Sequence, residues 1–148
     1  MDLVNPNEVP RSRYAEPVGH RARVLLVDQA TYRWTLSHSH RADNADGGTP
    51  RYHDCAERLV IRRDNEPGRL EIVFASGEGT AGATHVGEVK RGDDYLNLNR
   101  PGVVRAVLGE AIDRGWLPAE PGRCELDGWA LVDSVLTRLA EQRNDRPR

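Results

Sequence analysis

Three stretches of this sequence alternate between apolar and polar residues, and this period of two constrains the fold more than any other feature. In the clearest stretch, Tyr32, Trp34 and Leu36 occupy every second position. The other two stretches run from Cys55 to Arg63 and from Arg69 to Ala75. Because successive side chains of a β-strand point to opposite faces, each stretch predicts a strand with one buried face.

The last third of the sequence changes to the spacing of α-helices. Asn99 is the expected N-cap of a first helix, Gly115 is placed where that helix should end, and Asp127 is the expected N-cap of a second helix. Each helix carries an apolar stripe, formed by Val104, Val107, Leu108 and Ala111 in the first and by Val132, Val135, Leu136 and Leu139 in the second. With shorter apolar runs at 23–28, 85–90 and 95–98, the pattern predicts an α+β fold. We expect an antiparallel meander of about five to six strands with two C-terminal helices packed on one face.

Length and composition limit the organisation of the chain. Its 148 residues suit one domain, which we place at 19–142, after a polar, flexible arm at 1–18 and before a disordered tail at 143–148. Two cysteines are too few for a disulfide framework, and no apolar run approaches the roughly 20 residues of a membrane span. We therefore expect a cytoplasmic protein that does not bind a membrane.

Two glycine-containing segments have specific interpretations. Pro67-Gly68 predicts a turn in which proline restricts φ and glycine supplies a positive φ. Residues 77–82 spell G-x-G-x-x-G after a strand, but no helical period follows, as a dinucleotide site would require. We interpret this second segment as a flexible loop.

The hairpin formed by the first two alternating stretches has a predicted register. Aligning their apolar residues pairs positions whose numbers sum to 93, so that Trp34 faces Leu59 and Leu36 faces Glu57. The loop between the two strands makes a shift of this register an open alternative.

Three histidines and a cysteine come together in this predicted register. His38 lies opposite Cys55 and His40 lies opposite His53, with Cβ atoms about 4.5–5.5 Å apart. Three imidazoles and one thiolate suit Zn²⁺, so the four residues are the candidate metal site. The alternatives are a solvated polar rim without a cofactor, a pH-responsive histidine cluster, and a Cys55 nucleophile with a histidine base.

Trp116 and Trp129 flank the connection between the two predicted helices. Tryptophan is usually largely buried, so one interpretation is that they fix this connection to the sheet. The other is that they form an exposed aromatic interface for a partner.

Residues 98–118 open near Pro101 and end in Gly115-Trp116-Leu117-Pro118, and residues 126–129 read Leu-Asp-Gly-Trp. These two segments resemble the C-terminal part of small uncharacterised bacterial proteins. The resemblance implies a run of strands before the helix and a bacterial, specifically actinobacterial, origin. The group has no known activity, so the resemblance assigns no catalytic residue.

Three functional hypotheses follow. The first is a non-enzymatic protein-interaction or regulatory domain of the immunity type, because the chain is small and shows no convincing catalytic set. The second is a zinc-binding protein or small metalloenzyme that uses the histidine and cysteine cluster. The third is nucleic-acid binding through Arg33, Arg58 and Arg62, which the net charge of −2 disfavours.

Overall fold

A computed structural model describes the backbone at residues 22–43, 51–76 and 86–144, with side chains described at all of these positions except 40–43 and 51–54. The arm expected at 1–18 and the glycine-rich segment at 77–82 lie outside the described residues. The elements are β1 (Arg23–Val27), β2 (Ala30–Asp43), β3 (Arg51–Arg63), β4 (Gly68–Ala75), β5 (Glu88–Arg91), β6 (Asp94–Asn97), α1 (Pro101–Asp113), β7 (Gly122–Asp127), a 3₁₀ turn (Gly128–Leu131) and α2 (Val132–Asn144). Helix α2 therefore extends two residues into the segment expected to be a tail.

The α+β fold class is confirmed, and the strand order differs from the expected single meander in two features. Strands β1 to β4 form an antiparallel meander, and β7 joins the free side of β4 in parallel. Strands β5 and β6 pair only with each other and form a separate two-stranded sheet. The main sheet is therefore five-stranded in the order β1-β2-β3-β4-β7.

The hydrophobic core lies between one face of the main sheet and the helices. Trp34 is 2% exposed, and the fully buried side chains of β3 and β4 lie on the same face. Both predicted helical stripes are part of this core. The buried cluster includes Tyr32, Trp34, Leu36, Leu59, Ile61, Leu70, Ile72, Phe74, Val104, Val107, Leu108, Ala111, Val132 and Val135. The opposite face, which we call the outer face, carries the alternate residues of each strand.

The predicted hairpin register is wrong by two residues. Trp34 pairs with Ile61 and Leu36 pairs with Leu59, so paired numbers sum to 95. A shift of two leaves every side chain on its predicted face, which is why the buried face was predicted correctly while the pairs were not. An irregularity between Ser39 and Arg41 changes the register again towards the end of the hairpin.

The ends of the helices differ in part from the prediction. Gly115 has φ +107° directly after α1, as expected for a residue that ends a helix. Asn99 is not the N-cap, because Arg100 occupies that position without a side-chain cap and the Asn99 side chain donates to Val86 O instead. Asp127 does cap the C-terminal helical segment, where its carboxylate accepts from Trp129 N at the start of the 3₁₀ turn.

The Gly-Trp-x-Pro segment has a structural explanation. Gly115 ends α1, Trp116 is 5% exposed and belongs to the core, and Pro118 O accepts a hydrogen bond of 2.8 Å from Gly68 N. The segment thereby connects the end of α1 to the start of β4, beside which β7 lies.

Gly68 is required for a close approach and not for a positive φ, which Asn65 adopts in this turn (φ 65°). A Cβ at position 68 would lie 2.6 Å from Pro118 O and 2.8 Å from Glu120 O, both backbone atoms. We expect Gly68→Ala to lower the free energy of unfolding, measured by urea denaturation, by about 1–3 kcal/mol. Gly102→Ala is the control, because its Cβ would meet only Gln142 Oε1 at 3.8 Å. Equal stability of the two variants would contradict this account of Gly68.

Candidate functional site

The four predicted metal ligands do not have the predicted pairing. His38 lies opposite Glu57 and not Cys55, and Arg41, not His40, lies opposite His53. The backbones of His40 and His53 lie in β2 and β3, but their side chains are outside the described set. No group of three or more potential ligands occurs among the described side chains, and the zinc site stays a prediction.

His38 and Glu57 form a polar contact at the edge of the core. His38 Nδ1 bonds to Glu57 Oε1, and Glu57 Oε2 accepts a hydrogen bond of 3.0 Å from Gly87 N. Glu57 is only 5% exposed, and these two contacts give each of its carboxylate oxygens a partner in the described structure. Cys55, two residues along the strand, is a free, half-buried thiol, and Cys124 is also free.

The two tryptophans have separate packing roles. Trp116 is buried in the core, which agrees with the interpretation that it fixes the inter-helix connection. Trp129 Nε1 donates to Ala75 O at 2.7 Å, and its ring meets Phe74 edge-on at a centroid distance of 5.3 Å. Arg91 lies over the same ring, 4.8 Å from its centroid. Trp129 thus packs against the end of β4 with part of its surface exposed.

A row of arginines crosses the outer face of the sheet, and it adds Arg69 and Arg123 to the arginines named in the nucleic-acid hypothesis. Arg33 pairs with Arg62 across β2 and β3, and Arg69 pairs with Arg123 across β4 and β7. The pairing of β3 with β4 ends at Ile61 and Leu70, and Arg62 and Arg69 are the next residues in the same register. Neighbouring strands are about 4.8 Å apart, so four arginines cross the sheet in one row over about 14 Å.

Like charges at opposed positions of a sheet destabilise it, and carboxylates compensate this row in part. Asp64 accepts from Arg33 at 2.9 Å. Glu71 is 2% exposed and lies within 2.9 Å of Arg69 and 3.1 Å of Arg123. These contacts leave the middle of the row uncompensated.

The other charged residues of the outer face also leave an excess of positive charge. Arg58 contacts Glu71 at 3.2 Å and Glu125 at 3.4 Å. Arg62 is exposed and forms no ion pair with any residue that the structure describes. The arginine face consists of Arg33, Arg58, Arg62, Arg69 and Arg123 with the carboxylates Asp64, Glu71 and Glu125. Five arginines against three carboxylates leave an excess of two positive charges.

Arg62 lines a cleft of about 480 Å³ on the outer face. Its charged lining includes Arg33, Arg62, Arg63 and Arg69 together with Asp64 and Glu66. Guanidinium groups bind carboxylates and phosphates through two parallel hydrogen bonds. The cleft therefore has the chemistry of a binding site for anionic groups.

Exposed apolar residues continue the row at the edge of the sheet. Val24 pairs with Arg33 and is 52% exposed, and Leu26 is 69% exposed. Both alternate with buried Leu25 and so belong to the outer face. The outer face therefore combines arginines with adjacent apolar contact area.

The sequence contained part of this signal. The alternation of β2 and β3 placed Arg33, Arg58 and Arg62 on the solvent face, but pairing Arg69 with Arg123 requires β7. Strand β7 has only Cys124 and Leu126 on its inward face, which is too short an alternation to predict a strand.

No family model, curated protein or solved structure matches this chain. None of the described helices is both long and apolar enough to cross a membrane.

Proposed function

We propose that this chain is a non-enzymatic interaction domain that binds an acidic, partly apolar segment of a partner protein on the arginine face. The observation that carries the proposal is the cross-strand row in which Arg62 faces Arg33 and has no counter-ion among the described residues. This arrangement destabilises the isolated domain, and a carboxylate from a partner would compensate it. The role fits a cytoplasmic regulatory or immunity-type protein, and the two free thiols suit a reducing compartment.

The partner is better matched by a polypeptide than by nucleic acid. Glu71 and Glu125 lie within the arginine face, so a continuous phosphate backbone would pass close to carboxylates. Val24 and Leu26 add apolar contact area, which protein interfaces use and phosphates do not. The net charge of −2 also disfavours the long-range attraction of a polyanion.

Arg62→Glu provides a test in which stability and binding should change in opposite directions. The new carboxylate would face Arg33, so we expect the free energy of unfolding to rise by about 0.5–1 kcal/mol. The binding partner in the test is a synthetic peptide that alternates glutamate with leucine, and calorimetry at low salt measures its affinity. We expect Arg62→Glu to weaken this affinity about ten-fold or more. Arg105→Glu on α1 is the matched control, because Arg105 is exposed and lies outside the arginine face.

Three results would overturn the proposal. One is peptide binding that Arg62→Glu and Arg105→Glu weaken equally, which would indicate only a general charge effect. Another is equal affinity for the matched peptide with glutamine in place of glutamate. The third is tighter, salt-sensitive binding of single-stranded DNA through Arg62, which would favour the nucleic-acid hypothesis.

A further inference from the structure

A second cleft lies between β6, the start of α1 and the end of α2. Its volume is about 610 Å³, within the range of small-molecule sites. The lining consists of Tyr95, Leu96, Asn97, Arg100, Pro101, Gly102, Val103, Leu139, Gln142 and Arg143.

The floor of this cleft is apolar and belongs to the edge of the core. Leu96 is 2% exposed and Val103 is 7% exposed, and Leu139 packs against the same cluster. The Tyr95 hydroxyl donates a hydrogen bond of 3.1 Å to Glu88. Desolvation makes the largest contribution to raising the pKa of Tyr95, and this hydrogen bond makes the next largest. The phenol is therefore neutral, and its ring adds to the apolar wall.

Two arginines also line this cleft. Arg100 precedes α1 and Arg143 lies in the last turn of α2. Among the residues that the structure describes, no carboxylate lines the cleft and neither arginine forms an ion pair. The first turn of α1 holds no acidic residue and has no side-chain cap, so the positive end of that helix adds to the charge of the adjacent Arg100.

We propose that this cleft binds an amphipathic anion, a small molecule with an aliphatic body and a carboxylate head. The body lies on Leu96, Val103 and Leu139, and the head accepts hydrogen bonds from Arg100 and Arg143. A simple anion would leave the apolar floor without a partner, and a neutral aliphatic ligand would leave two like charges uncompensated. The inference is independent of the arginine face, which lies on the outer side of the main sheet.

The test uses octanoate as the probe. Two comparison ligands separate its parts: 1-octanol has the aliphatic chain without the charge, and inorganic phosphate has negative charge without the chain. Titration of the full, isotopically labelled chain is followed through the amide resonances of Gly102 and Val103. We expect saturable shifts with octanoate and binding at least about ten-fold weaker for either other probe. The double variant Arg100→Gln with Arg143→Gln should weaken octanoate about ten-fold or more and leave octanol unchanged.

Gly102→Leu gives a second, steric test. The space beside Gly102 is open except for Gln142 Oε1 at 3.8 Å, so a leucine should enter the cleft without disturbing the helix. This variant should weaken octanoate and octanol alike, whereas Arg105→Gln, outside the cleft, should bind octanoate like the unmodified protein. The proposal is overturned if octanoate gives no saturable shifts at these amides, if octanol or phosphate binds equally well, or if the double arginine variant binds octanoate normally.

Discussion

Replacing Glu71 with glutamine is expected to lower the free energy of unfolding by about 2–4 kcal/mol. The Glu71 side chain is 3% exposed and is held by three arginines, Arg58, Arg69 and Arg123. Glutamine preserves the volume but removes the only buried negative charge among these guanidinium groups. Removing one partner of a buried ion pair typically costs 3–5 kcal/mol, and we expect a smaller loss here because the arginines are 28–59% exposed.

Glu125→Gln is the matched control for this prediction. Glu125 faces the same arginine cluster but is 48% exposed and has a single contact, 3.4 Å to Arg58. Its replacement should change the free energy of unfolding by less than about 0.5 kcal/mol. Added salt should recover part of the loss in Glu71→Gln, because it screens the repulsion that remains between the arginines. If urea denaturation gave the two variants the same stability, Glu71 would not be the residue that holds this face together.

The second large effect is expected at the centre of the core. Trp34 is 2% exposed on the helix-covered face of β2, and Arg23 lies over its ring, 4.9 Å from the centroid. Trp34→Ala should lower the free energy of unfolding by about 3–5 kcal/mol, since it removes a large buried ring and leaves a cavity. The measurement is again urea denaturation of the full chain.

Trp34→Phe separates the contribution of the ring from that of the indole nitrogen. Within the described structure the buried Nε1–H of Trp34 has no hydrogen-bond partner, and phenylalanine removes that unsatisfied donor. We therefore expect Trp34→Phe to cost only about 1 kcal/mol. Leu26→Ala, at a 69% exposed position of the same sheet, should cost less than about 0.5 kcal/mol. A Trp34→Ala variant as stable as Leu26→Ala would show that Trp34 is not a central core residue.

The candidate sites were less predictable than the fold for a specific reason. Alternation in β2 and β3 places Arg33 and Arg62 on the outer face, but a register shift of two residues leaves that alternation unchanged. The opposition of Arg33 and Arg62 therefore could not be distinguished from other pairings. Glu71 illustrates the same limit, because the sequence places it between core residues of β4, whereas its 2% exposure and its three arginine partners depend on the neighbouring strands.

The second cleft was likewise outside the reach of sequence patterns. Arg100, the N-cap of α1, and Arg143, in the last turn of α2, are 43 positions apart, and the polar residues of the two helices have no periodic signal in common. Their convergence depends on how α1 and α2 pack, which involves the contacts of Arg138 with Glu110 at 2.9 Å and with Asp113. The hydrogen bond from Arg138, supported by one from Arg114, lowers the pKa of Glu110, although burial opposes the shift.

The sequence by itself determined the properties that repeat locally along the chain. The period of two in β2, β3 and β4 and the helical stripes of α1 and α2 established the α+β class and the buried face of each element. The tertiary structure alone decided the strand register, the parallel addition of β7 beside β4, and therefore the arginine row and its buried carboxylate. The physical reason is that a periodic pattern selects a face, whereas register and strand order depend on contacts between residues distant in sequence.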